Sequence, residues 1–139
     1  MEETRQYSAL RREGRAAALI AGLAFASEAG AETVPVPSGQ AVEFVEVVRD
    51  APGLGLAYRF RFVAPEIAGA IDYKTAATDM IHLCQSYALP RLPRIGATLP
   101  RVVISLSDRP TEFGDLVPDA TQFFEIYRAE GEICVWDGF

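Results

Sequence analysis

The chain has 139 residues, the length of a single domain. Half of them are hydrophobic and 23% are charged, which marks a globular chain rather than a disordered one. A net charge of −6 excludes nucleic acid as a partner, since phosphate contacts need clustered Lys and Arg, and it excludes electrostatic docking to an anionic membrane.

Residues 1–15 carry Arg5, Arg11, Arg12 and Arg15, residues 16–26 are uncharged and apolar, and Ala29-Gly30-Ala31 follows. Basic, apolar and A-x-A regions in that order read as a secretory signal peptide over 1–31. Cleavage is expected between Ala31 and Glu32; an uncleaved anchor and an N-terminal amphipathic helix are the alternatives. The apolar run is too short to span a bilayer, which takes about 20 residues. Glu13-Gly14 after the arginine pair argues for general secretion over the twin-arginine route. Removing this segment takes away as many basic as acidic residues, so the domain keeps its net charge of −6. Residues 32–40, with Pro35 and Pro37, read as an extended tether, and 41–139 as one domain.

Residues 42–49 are β-branched and aromatic and read as a strand. Glu43 and Glu46 break its alternation, which a bulge near Val45 repairs. After the turn cluster 50–55, residues 56–63 alternate cleanly: Leu56, Tyr58, Phe60 and Phe62 face one way, Arg59 and Arg61 the other. The two strands make a hairpin. Asp72 caps a helix over 73–88 that Pro90 stops. At about 100° per residue, an arc from Tyr73 through Met80, Leu83 and Cys84 to Tyr87 is apolar, and Lys74, Asp79, His82 and Ser86 fall on the polar side. A Pro-rich crossing over 90–100 leads to a strand at 101–108, a polar loop over 108–120 and a terminal hairpin, 121–128 with 132–136. The loop leaves room for one more short strand near Phe113. The fold class is α+β: one antiparallel sheet in ββ-α-βββ order with one helix on one face.

His82 and Cys84 are two apart on a helix, so their side chains diverge by about 160° and cannot share a metal or act as base and nucleophile. Cys84 faces the sheet, where Cys134 is its natural partner. Two cysteines in a small exported domain read as one disulfide, and two buried thiols are expected if the chain stays in a reducing compartment. One histidine rules out a His-rich metal site, and the G-x-S-x-G, G-x-G-x-x-G and phosphate-loop patterns are absent. Asp108, Glu112, Asp115 and Asp119 are the one acidic cluster, without the rhythm of a calcium loop. Asp108 and Arg109 read as a local ion pair or a binding corner. No cofactor or metal is implied.

Three stretches, LAYRFRFVAPEI (56–67), TAATDMIHLCQSYALPRLP (75–93) and residues 104–139, resemble a domain-of-unknown-function family from alphaproteobacteria, the one numbered 6497. The resemblance covers most of the mature chain. It implies an exported protein of this size with the same two cysteines, and it transfers no catalytic residue. Some members carry an acetolactate synthase label, which implies a thiamine-diphosphate motif of Gly-Asp-Gly followed by Asn. This chain has Gly114-Asp115-Leu116, so the label is not carried over.

The expected role is a periplasmic or secreted binding or accessory module, not an enzyme, whose partner is an envelope protein or a small ligand. An exposed Arg59/Arg61 row would supply bidentate pairs to carboxylates on that partner. The alternative is a small hydrolase-like enzyme using Asp108, Glu112, Asp115 and Asp119.

Overall fold

The computed structural model describes residues 32–49, 57–93 and 100–138. The segment expected to be a signal peptide, the turn cluster expected at 50–55 and the middle of the expected Pro-rich crossing lie outside the described residues. Among these residues six strands form one sheet in chain order: β1 (Glu32–Thr33), β2 (Glu43–Arg49), β3 (Ala57–Val63), β4 (Arg101–Ser107), β5 (Gln122–Glu130) and β6 (Ile133–Trp136). One helix, α1 (Tyr73–Leu83), lies between β3 and β4 in sequence and packs on one face.

The fold is α+β as the pattern indicated, with one difference in strand direction. β3 and β4 are parallel, Phe60 opposite Ile104, while the other pairs are antiparallel. A crossover through a helix carries the chain back to the end where it started, so the next neighbouring strand runs the same way. The register of β2 against β3 shifts between Phe44 and Glu46, where the misplaced glutamates called for a bulge. No strand forms at Phe113. The chain turns there around Gly114, at φ +87, a left-handed conformation that glycine adopts without steric cost.

Alternation along β3 and β4 sends Tyr58, Phe60, Phe62, Val102, Ile104 and Leu106 to the helix face, where Ala76, Met80 and Leu83 meet them. Each large apolar side chain buried there contributes about 1.5–3 kcal/mol. Phe44, Phe62 and Tyr87 add an aromatic cluster with ring centroids 5.1 to 5.7 Å apart.

The helix does not stay α-helical to Ala88. From Cys84 it widens into a five-residue π turn, with the Leu89 N–H donating to the Cys84 carbonyl, and a short 3-10 turn follows at Leu89–Arg91. Pro90 brings no N–H, and in a regular α-helix its ring would meet the Ser86 carbonyl, so the last turn opens instead. Cys84, Tyr87 and Ala88 stay buried through the change.

Asp79 corrects the polar side of the predicted helix: it is fully buried. Its carboxylate accepts from the Ser38 N–H at 2.9 Å, from the Ser38 hydroxyl and from Gln40 Nε2 at 2.7 Å. The stretch read as a tether is thereby fastened to the helix. Glu32–Thr33 pairs with β2, and Val34, Gln40 and Val42 are buried.

Candidate functional site

The two cysteines are joined. Cys84, in the widened turn, and Cys134, on β6, have Sγ atoms 2.08 Å apart and Cα atoms 6.2 Å apart. That Cα spacing lies inside the range a disulfide needs, about 4.4–6.8 Å. Beside the bridge, the Cys134 N–H donates to Gln85 Oε1 at 3.2 Å. His82 is half-buried on the other side of the helix and lines a shallow hollow with Glu32, Ser86, Tyr87 and Arg91. There the Tyr87 hydroxyl donates to Glu32 at 2.7 Å, and the Arg91 guanidinium lies 3.6 Å from the centre of the Tyr87 ring. Burial first, and the bond to Glu32 second, raise the pKa of the Tyr87 hydroxyl. Glu32, the expected first residue after processing, is therefore held at the helix end. Ala31 lies outside the described residues.

The arginine row on β3 is not the open surface its alternation promised. Arg61 has an 11% exposed side chain and pairs with Glu46, and it donates to the Thr111 carbonyl at 2.6 Å and the Thr111 hydroxyl at 2.9 Å. Arg59 is half-buried, its guanidinium carbon 5.5 Å from the ring centres of both Phe113 and Phe124. Burial, then the charge of Arg61, lowers its pKa, and Arg59 Nε has no hydrogen-bond partner among the described residues. A loop that reads as solvated in the sequence has folded over the row, because the phenylalanine faces attract the two cations it covers.

Arg109 donates to both oxygens of Asp108, at 3.0 and 3.2 Å, and to the Asp119 carbonyl at 3.1 Å. The hydrogen bonds from Arg109 hold the Asp108 carboxyl below the usual range. This is the local ion pair, tying the loop's two ends. Glu112 and Asp115 sit in the turn between, where the Asp115 N–H donates to the Glu112 carbonyl. Among the described residues no three acidic, histidine or cysteine side chains are grouped to hold a metal ion.

The site with most chemical content was not among the residues singled out from sequence. Between α1 and strands β5 and β6 lies a hollow of about 370 Å3, lined by Tyr73, Ala77, Thr78, Ile81, Glu125, Tyr127 and Trp136. Glu125 is 4% exposed, although its neighbours Tyr73 and Trp136 are 49% and 62% exposed. Trp136 Nε1 donates to Glu125 Oε2. The Tyr73 ring stands edge-on to Phe123, centroids 5.3 Å apart. Gly138, at φ +57, runs under the indole so closely that a Cβ there would stand 3.2 Å from the ring. Burial first, and the nearby Glu125 charge second, raise the pKa of Tyr127 far above its ordinary value. The signal was present in TQFFEIYR: alternation puts Glu125 on one face with Phe123 and Tyr127, a charge amid an apolar row. A larger hollow of about 480 Å3 near Leu89, Leu92 and Ala129 ends at Pro93, where the described residues stop.

Fold and site define a small mixed-sheet α+β domain in which the turn that ends α1 is disulfide-linked to β6, with an aromatic hollow beside it. The chain belongs to a family of unknown function (DUF6497), whose model matches residues 17–139. No curated protein and no solved structure matches it. Among the described residues, no helix is long and apolar enough to cross a membrane.

Proposed function

We propose that this domain is an exported binding module, periplasmic or secreted, that takes a small ligand in the hollow between α1 and β5–β6. The observation that carries the binding role is Glu125, a buried carboxylate at the base of an opening flanked by exposed Tyr73 and Trp136. A buried charge is costly unless something pairs with it, and the hollow beside Glu125 leaves room for a ligand that does. Export rests on the three-part N-terminal pattern and on the Cys84–Cys134 bridge, which is compatible with an oxidising compartment. A binding role is favoured over catalysis by the inventory of side chains. The two cysteines are bonded to each other, the one lysine (Lys74) is exposed at the helix start, and Asp108 is paired with Arg109.

Mass spectrometry of the protein from the host envelope tests both parts. The expected material begins at Glu32, has Cys84 linked to Cys134, and in native spectra carries a small molecule that is lost on denaturation. An intact Met1 form with two alkylatable thiols overturns export. A bare domain, together with no thermal shift across a panel of envelope metabolites, overturns the binding role.

A further inference from the structure

The chemistry of the hollow narrows what it takes, on the reading that the domain is a binding module. We propose that it binds a small alkylated ammonium compound, with the cation on Glu125 and the alkyl groups between Tyr73 and Trp136. No Lys or Arg forms an ion pair with Glu125 among the described residues, and Arg101 and Arg128, further along β4 and β5, pair with Asp137. A carboxyl group so little exposed, with one hydrogen bond and no cation beside it, is a place where a bound cation gains most. The indole N–H occupies Oε2. The two-pronged fork of a guanidinium needs both oxygens, so a point charge fits the remaining Oε1 better. A metal ion lacks further ligands here, since no group of three acidic, histidine or cysteine side chains is present among the described residues. The exposed faces of Tyr73 and Trp136 are the partners that alkylated ammonium ions prefer, and Ala77 and Ile81 offer apolar contact to an alkyl body. The net charge of −6 favours the approach of a cation and opposes that of an anion.

Trp136 is the chain's one tryptophan, so its fluorescence reports on this hollow alone. The experiment titrates the full-length, disulfide-bonded protein with choline and, in parallel, with 3,3-dimethylbutanol, which has the same shape without the charge. The proposal expects a saturable fluorescence change with choline and an affinity about tenfold or more weaker for the neutral alcohol. Glu125→Gln keeps an acceptor for the indole, and it is expected to weaken choline about as much as removing the charge from the ligand does. Tyr73→Ala, at an exposed position, is expected to weaken choline about threefold to tenfold. No saturable change at millimolar choline overturns the proposal, as does equal binding of the alcohol. If Glu125→Gln unfolds by circular dichroism, the alcohol comparison and Tyr73→Ala decide by themselves. A neutral or anionic molecule found in the native protein, with choline silent, leaves the binding module standing and removes the cation.

Discussion

The two faces of the sheet are closed in different ways. On one, a helix lays Ala76, Met80 and Leu83 on Phe60, Phe62, Ile104 and Leu106, and a disulfide and a buried aspartate fasten it. On the other, the 108–120 loop covers Arg59 and Arg61 with Phe113 and binds Arg61 through Thr111. The first closure excludes water from apolar surface and is cooperative with the whole fold. The second uses a few polar and cation–aromatic contacts at the rim, so it should open without unfolding the rest.

That contrast gives an order of damage. The greatest loss is expected from Cys84→Ser with Cys134→Ser: the bridged residues are 50 apart in sequence, and constraining a loop of that size contributes about 4 kcal/mol on the chain-entropy view. Calorimetry of the oxidised and double-serine proteins measures it, and equal melting temperatures would remove the bridge from the list of fastenings. Next is Asp79→Ala, which leaves the buried Gln40 amide and the Ser38 donors without their acceptor and is expected to cost about 2 kcal/mol by urea denaturation. The same variant should release residues 32–40, read as faster amide exchange at Ser38 and Gln40.

Arg61→Ser attacks the other face. Loss of its bonds to Thr111 is expected to cost about 1.5 kcal/mol and to make the 108–120 loop sensitive to limited proteolysis while the helix face stays protected. Cooperative unfolding of both faces by this one change would erase the distinction. The smallest effect concerns Asp108. Its pKa is lowered in the folded protein, chiefly by hydrogen bonds from Arg109, so the pair stabilises the fold above the ordinary carboxylate pKa of about 3.9. That contribution is lost as pH falls through the lower folded value. Asp108→Asn should therefore reduce the urea midpoint at neutral pH and change it little in strong acid; an equal shift at both would show that the charge is irrelevant.

What could be foreseen follows the same division. β3, the Phe44–Glu46 bulge, the helix start at Asp72 and the Cys84–Cys134 pair were legible, because period-two and period-3.6 patterns leave a regular trace. The direction of β4 was not, since alternation is the same for either pairing. Asp79 was misplaced for a geometric reason: on the helical wheel it falls next to Leu83, at the edge of the apolar arc. Whether such a position meets water depends on what else arrives, and here residues 38–40 do. Phe113 over Arg59 could not be foreseen either, since loops have no period to read. Glu125 was readable and overlooked, a charge in register with Phe123 and Tyr127.

The bridge also bears on how the molecule withstands force. It joins the end of the helix to the last strand, so β4 and β5 lie wholly inside a covalent ring whose ends are 50 residues apart in sequence. A pull on the two termini strips β1, β2, β3 and α1 from one side and the tip of β6 from the other, and then the tension runs through the sulfur atoms. In a single-molecule stretching trace the ring stays hidden, and about 170 Å of contour length appears only after a reductant is added.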